Sequence, residues 1–344
     1  MASSSNITVT RVPLTAERAP LLRELYGLER LPLAPADIKF VLKGSTALAN
    51  ALRRTVTDEM PGHRLTVVPS EVDTVNTTEA FMIPFFIHER IMQVPLWRGA
   101  TEGALRFRLD VRNTGTSNLA VYSGDLHPLT GPKDHGLFNP TFEIGFLRPG
   151  NRLYIHEVLV TRGLGRDHAS YNVMCCARFR HLDIAEHPRA ATHAPDGAHV
   201  NSSGYVTSVL VADPRRHEFA AMLPATQRES DAVHAMVDAC DHLAGRLRRA
   251  QAAVGSAQYA AIQLENGLTE GVLQIPGETP TIGELLRRKV CDLYPDVSYV
   301  SQQEITHESV MRFMLRHGDA TLALLESIRA CIEDVDAVRE GFQV

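Results

Sequence analysis

The chain has 344 residues, enough for two or three domains with cores of their own. Its 44% hydrophobic and 22% charged residues are the proportions of a soluble globular protein. A net charge of −5 excludes a protein whose main work is to coat nucleic acid, although local basic faces remain open.

In chain order, residues 6–12 and 37–42 read as strands. Ser45 and Thr46 are cap residues for a helix whose apolar positions, Leu48, Ala51, Leu52 and Val56, recur every three or four residues and which stops before Pro61. Residues 64–75 read as strand, and 79–94 as a short apolar helix with Pro84 near its start and Pro95 at its end. From 105 to 111 the pattern alternates, Leu105, Phe107, Leu109 and Val111 against Arg106, Arg108 and Asp110, as in a half-buried strand. Phe142, Ile144 and Phe146 alternate likewise, residues 152–160 and 173–180 are further strands, and 186–203 reads as a loop. After a strand at 205–212, Thr226 to Glu229 fit a capping box. The helix that follows carries Val233, Met236, Val237, Cys240, Leu243 and Leu247 on one stripe. Its acids come early and Arg246, Arg248 and Arg249 late, an order that complements the helix dipole. An Ala/Gly/Gln-rich stretch over 250–263 leads to a break at Asn266-Gly267. Residues 271–275 are strand, and Thr279-Pro280 opens a helix with Ile282, Leu285, Leu286, Val290 and Leu293 inward. Strands over 297–305 and 309–315 precede a last helix, 319–342, burying Leu322, Leu325, Ile328, Ile332, Val335, Val338 and Phe342.

One pattern occurs twice. Residues 52–61 read Leu-Arg-Arg-Thr-Val-Thr-Asp-Glu-Met-Pro, and 286–295 read Leu-Arg-Arg-Lys-Val-Cys-Asp-Leu-Tyr-Pro. At the offset 286 − 52 = 234, Leu, Arg, Arg, Val, Asp and Pro coincide without a gap. Two related units in one polypeptide are expected to bury their apolar faces on each other, as a pseudo-dimer within one chain. Each unit reads as strand, Leu-Arg-Arg helix, strands and a long closing helix. The expected division is a discontinuous first unit, 1–97 with 203–258, an inserted β-rich domain over 98–202, a linker over 259–270, and a second unit over 271–344.

This organisation resembles the α-like assembly subunits of multisubunit DNA-directed RNA polymerases. The match rests on Thr46-Ala-Leu-Ala-Asn-Ala-Leu-Arg-Arg54, Phe85-Phe-Ile-His-Glu-Arg-Ile-Met-Gln-Val-Pro-Leu96, Val121-Tyr-Ser-Gly-Asp125, Ile144-Gly-Phe-Leu-Arg-Pro-Gly150, Gly163-Leu-Gly-Arg-Asp-His-Ala-Ser-Tyr171 and Thr281-Ile-Gly-Glu-Leu-Leu-Arg287. Residues 271–342 are similar to the smaller subunit type and the preceding part to the larger, third-subunit type, so the chain resembles the two fused in tandem, as in large cytoplasmic DNA viruses. The resemblance implies an α+β fold: a dimerisation domain, an inserted β-rich domain and a second dimerisation unit. It implies a non-catalytic platform that pairs its two halves and docks the two largest polymerase subunits. Small zinc-bearing subunits are expected as further partners, with no membrane and no sequence-specific DNA contact. The expected place is inside the cell, in virion and host cytoplasm if the source is viral.

By the same resemblance, Asn50, Arg53 and Arg54 together with Gly165, Arg166, Asp167 and His168 are expected to face the second-largest subunit, and Arg287 and Arg288 the largest. Val233, Met236, Val237, Cys240, Leu243, Leu247, Leu322, Leu325, Ile328, Ile332 and Val335 are expected to form the internal dimer helices. Arginine suits docking because its planar fork binds carboxylates and carbonyls bidentately. On residue pattern alone, the arginine pairs read first as exposed helix edges, and 163–171 reads equally as a surface turn. No lysine follows the glycines of that loop, which excludes a phosphate loop. Many relatives of the larger type hold a cysteine cluster in the insertion. Here residues 98–174 contain no cysteine, and Cys175-Cys176 makes no tetrahedral site alone, so no metal or other cofactor is expected. The five cysteines, Cys175, Cys176, Cys240, Cys291 and Cys331, read as reduced thiols. The 15 histidines form no ligand spacing: His88-Glu89 reads as a buried or interfacial pair, and His127, His135, His187 and His193 as solvated. Two rival readings stay open, a polymerase-like regulator or decoy that no longer assembles and a His-rich metal hydrolase.

Overall fold

The computed structural model describes residues 8–11, 36–68, 75–78, 84–96, 105–129, 136–138, 140–184, 199–200, 206–207, 211–223, 230–264, 268–295, 297–305, 308–315 and 318–343. The described fold is mixed α+β, with several antiparallel sheets and five α-helices: α1 (Thr46–Arg54), α2 (Pro84–Met92), α3 (Ser230–Val254), α4 (Pro280–Leu293) and α5 (Ala320–Gln343).

Two four-stranded sheets share one strand order. In the first, Thr8–Arg11, Ala36–Lys43, Val211–Leu223 and Cys175–Ile184 lie side by side. In the second, the order is Tyr259–Gln263, Thr269–Pro276, Glu308–Leu315 and Val297–Ile305. Each second strand leads to a helix of the repeated Leu-Arg-Arg segment, α1 or α4, and each third strand to a long closing helix, α3 or α5. The coinciding apolar positions serve the same purpose in both copies, since Leu52 and Val56, like Leu286 and Val290, have no exposed surface.

The expectation of a linker over 259–270 is corrected here. Tyr259–Gln263 pairs with Thr269–Pro276 and occupies the place that Thr8–Arg11 holds in the first sheet. Its Tyr-Ala-Ala-Ile-Gln sequence lies at a sheet edge with most side chains exposed, so burial writes no alternation into it. Nor do the sheets divide at residues 98 and 202. A middle sheet already begins with Pro61–Val67, which pairs with Arg152–Leu164, and also takes in Val75–Thr77, Arg106–Arg112 and Leu126–Pro128. Cys175–Ile184 returns to the first sheet by pairing with Val211–Leu223. Within the expected loop at 186–203, His199–Val200 pairs with Val206–Thr207; residues 185–198 and 201–203, the capping box at 226–229, Trp97, His135, His187 and His193 lie outside the described residues.

Helix α3 and α5 lie against each other, tied at the surface by Arg339 Nε to Asp241 Oδ1 at 2.7 Å. One apolar cluster runs through both four-stranded units, from Phe40, Leu52, Phe219 and Leu243 to Leu273, Leu286, Phe313 and Ile328. The end of α5 crosses onto the first sheet, where the Phe342 ring stands edge-on to Phe40 at 4.9 Å between centroids. Met236, Cys240, Leu243 and Leu247 are buried as expected, with Val233 and Val237 packed at the margin. On α5, Ile328 and Val335 are buried and Leu325 and Ile332 are marginal. Leu322 departs from expectation: it is 55% exposed. The buried stripe of α5 runs through Ala320, Ala323, Leu324, Ser327, Ile328 and Cys331, so small residues take the inward positions and Leu322 falls off the stripe. Phe146 departs too. The strand Glu143–Leu147 has a bulge in its pairing, and Ile144 and Leu147 turn inward while Phe146 stays 43% exposed.

At the start of α1, Ser45 Oγ accepts a hydrogen bond from Leu48 N at 3.1 Å, the cap expected from sequence. Ser45→Ala is expected to lower stability by about 1 kcal/mol, visible as a lower Tm with an unchanged circular dichroism spectrum. Among the described residues no helix is long and apolar enough to cross a membrane.

Candidate functional site

Helix α1 does not simply end at Arg54. Its last turn widens into a π-helical turn, Thr55–Glu59, closed by Met60 N on Thr55 O at 2.9 Å. The Thr55 and Thr57 hydroxyls bond back to Ala51 O (2.7 Å) and Arg53 O (3.0 Å), a local competition with the backbone ladder that loosens a helix. The widened turn leaves carbonyls available, and the 163–171 loop takes one of them: Arg166 N donates to Asp58 O at 3.0 Å. Met174 N donates to Val56 O, also at 3.0 Å.

Two glycines permit this approach. A Cβ on Gly165 would lie 1.9 Å from Thr57 O, and a Cβ on Gly62 would lie 1.8 Å from Tyr171 O. The loop is further held by Arg64, whose guanidinium stands 4.1 Å from the Tyr171 ring centroid and donates to Ser170 Oγ at 3.1 Å. The structure thus brings Thr57 and Asp58, which follow Arg54 on the widened turn, against Gly165 and Arg166 across more than a hundred residues of sequence. Arg53 Nη2 donates to Asn50 Oδ1 at 3.5 Å. The exposed Arg166 and Asp167 side chains lie 3.9 Å apart. His168 Nδ1 accepts from Ser170 N at 3.2 Å, and its Nε2 is 3.9 Å from Glu89 on α2. Of the His88-Glu89 pair, both are half-buried, and Glu89 faces the His168 ring. Beyond Glu89, α2 and Glu143–Leu147 enclose a groove of about 450 Å³ with Phe86 and Phe146 on its walls.

Arg287 and Arg288 form a separate, exposed edge on α4. Arg287 binds Glu284 with Nε and Nη2 at 2.6 and 2.5 Å, and Arg288 reaches Asp292 at 3.0 Å. No hydrogen bond or ion pair among the described residues joins them to the first edge.

Arg246 is the residue that sequence reasoning misplaced. Expected on the dipole-complementing end of α3, it is 3% exposed and lies between the two units. Its Nη1 donates to Glu59 Oε2 at 2.5 Å, its Nε to Glu278 Oε1 at 3.0 Å, and its Nη2 to Thr279 Oγ1 at 2.7 Å and to Glu278 Oε1. Glu59 Oε1 accepts from Thr279 Oγ1 at 2.7 Å and Thr281 Oγ1 at 2.5 Å, and Arg54 Nη2 stands 3.4 Å away. Two carboxylates thus face two guanidiniums. Burial would push the Glu59 carboxyl up, but Arg246 and the threonine hydroxyls hold it below its ordinary value. Burial would push Arg246 down, but Glu278 and Glu59 hold it above its ordinary value. Burial, then Arg246 and Arg249, lowers His242 beside this cluster. The available signal was positional, because Arg246 follows Leu243 by three residues on the apolar stripe itself.

Among the described residues no group of three or more His, Cys, Asp or Glu side chains is arranged to hold a metal ion. Cys175 Sγ is 3.5 Å from Met222 O, and Cys176 is exposed with φ 54°. The chemistry on offer is recognition: fixed guanidinium forks, an anchored loop and an apolar groove.

No protein-family profile matches the chain. Curated relatives do. A protein of African swine fever virus (Badajoz strain) called "DNA-directed RNA polymerase RPB3-11 homolog" is 31% identical over 324 residues, which is 91% of this chain and 88% of that protein. Its counterparts in a Pretoriuskop tick isolate and a Kenyan pig isolate match with the same identity and coverage.

Proposed function

Since the chain belongs to the RPB3-11 family of DNA-directed RNA polymerase subunits, as a fused RPB3/RPB11-like subunit, we propose that it is the polymerase's assembly platform. In this reading the first four-stranded unit and the second pair within the chain as an internal pseudo-dimer, and each unit offers one edge to a large subunit. The observation that carries it is the repeated sheet order with closing helices that share one core, while both Leu-Arg-Arg edges stay at the surface. A pair closed on itself keeps both arginine edges at the surface, where Arg53, Arg54, Arg287 and Arg288 rest on Asn50, Glu59, Glu284 and Asp292 of the chain itself.

The α1 edge with residues 165–168 meets the second-largest subunit, and Arg287 and Arg288 meet the largest. The middle sheet with α2 forms the inserted domain, where small zinc-bearing subunits bind. The chain contributes no catalytic residue, cofactor or sequence-specific DNA contact, and it works in the virion and the host cytoplasm.

The test is co-expression with the two largest polymerase subunits of the same genome, pulling on this chain. Wild type is expected to recover both. Arg53→Glu/Arg54→Glu is expected to weaken capture of the second-largest subunit by about 100-fold, as for loss and reversal of desolvated charge pairs, and to retain the largest. Capture of both by the double variant would discard the α1 edge. Capture of neither by a folded wild type, with the small subunits supplied, would favour a regulator that no longer assembles.

A further inference from the structure

Glu59 is placed to do two things at once. It sits on the widened turn that follows α1, 5% exposed, and its two oxygens face different elements. Oε2 takes Arg246 from α3. Oε1 takes the hydroxyls of Thr279 and Thr281, both from the second unit, and lies 3.4 Å from Arg54, which is one of the arginines of the α1 edge. Arg54 is 36% exposed, so its guanidinium spans from the surface to this buried carboxylate. A carboxylate has about four acceptor sites, and here the second unit fills those on the oxygen nearest Arg54.

We infer that Glu59 couples the two events of assembly: seating the second unit fixes Glu59, and Glu59 fixes Arg54 for docking. The inference rests on the reading of Arg54 as a docking residue. Without the second unit, Oε1 loses both hydroxyl donors, and the Arg54 fork loses an oriented partner. Glu59 is thus a positioning residue. The repeat makes the coupling one-sided. At the 234-residue offset, Glu59 corresponds to Leu293, which is 37% exposed, and Arg288 pairs with Asp292 inside its own helix. The α4 edge is set without reference to the other unit.

The experiment uses the full chain and measures affinity for the second-largest and largest polymerase subunits. Thr281→Val removes one hydroxyl from the second unit without touching Arg54. It is expected to weaken second-largest-subunit binding about tenfold, the scale of one hydrogen bond to a charged group. Arg54→Ala weakens it as much, and the double variant is no weaker than Arg54→Ala alone. Thr281→Ser restores wild-type affinity, and largest-subunit affinity is unchanged throughout. Wild-type affinity in Thr281→Val, or effects that multiply in the double variant, would overturn the coupling. Unchanged affinity in Arg54→Ala would instead overturn the docking reading. Hydrogen exchange over residues 50–60 of the free chain then decides: faster exchange in Thr281→Val supports the link, and unchanged exchange ends it.

Discussion

Replacing Arg246 with alanine is expected to destabilise the protein by about 3–5 kcal/mol, because it leaves two carboxylates buried without their cation. Glu59 and Glu278 are 5% and 7% exposed, so water cannot easily stand in for the lost guanidinium. The Tm is expected to fall by about 4–7 °C, measured by calorimetry near neutral pH. The pH dependence changes sign. In the wild type Glu59 is held below its ordinary value of 4.5, so its contribution is present above that value and is lost as pH falls through the depressed one. In Arg246→Ala the cation that lowers Glu59 most is gone, and burial raises its carboxyl against the threonine hydroxyls and Arg54 that remain. The folded form then binds protons more readily than the unfolded one, and stability rises as pH falls. The gap between the two proteins should therefore narrow between about pH 7 and pH 5. A gap that stays constant or widens over that interval would mean that the cluster is hydrated and contributes little.

Gly165→Ala is expected to lift the 163–171 loop off the widened turn. The new Cβ would stand 1.9 Å from Thr57 O and 2.2 Å from Asn172 Oδ1, and the first of these is backbone that cannot rotate aside. The loop must move, and the Arg166 N to Asp58 O bond of 3.0 Å goes with it. The local cost is about 2–3 kcal/mol, the upper part of the range for overpacking. Amide exchange over 164–172 should speed up by a corresponding 30-fold or more, while α3 and α5, with their own core, keep their protection. In the proposed reading, in which the loop and the α1 edge dock together, capture of the second-largest subunit should fall in the same variant. Wild-type exchange in this loop would show that it is not seated on α1.

Most helices and strands were legible because burial writes a period into the sequence. Alternation over 105–111 and the stripe through Leu243 and Leu247 need no tertiary knowledge. The edge strand Tyr259–Gln263 was hidden because its mostly exposed alanines carry no such period. Leu322 misled for the opposite reason: leucine invites burial, but alanines and Ser327 occupy the contact face of α5. The proposed docking surface was legible as two motifs and not as one place. What joins them is a widened turn and glycines at close approach, and neither leaves a compositional mark. Arg246 was the hardest, since a late arginine on a helix suits the dipole. Its partners Glu59 and Glu278 lie 187 and 32 residues away, beyond any local rule. Its place on an apolar stripe was the one local hint.

Only residues 255–258 separate the end of α3 at Val254 from the strand that opens the second sheet at Tyr259. A tether of that length reaches about 14 Å, and it holds the two sheets at an effective concentration on the order of millimolar. Made from two separate chains, such a pair would depend on matched dosage, and an excess of either half would carry unpaired buried ions into solution. Joined in this way, the halves have a stoichiometry set at translation, so neither supply nor dilution leaves an orphan to aggregate.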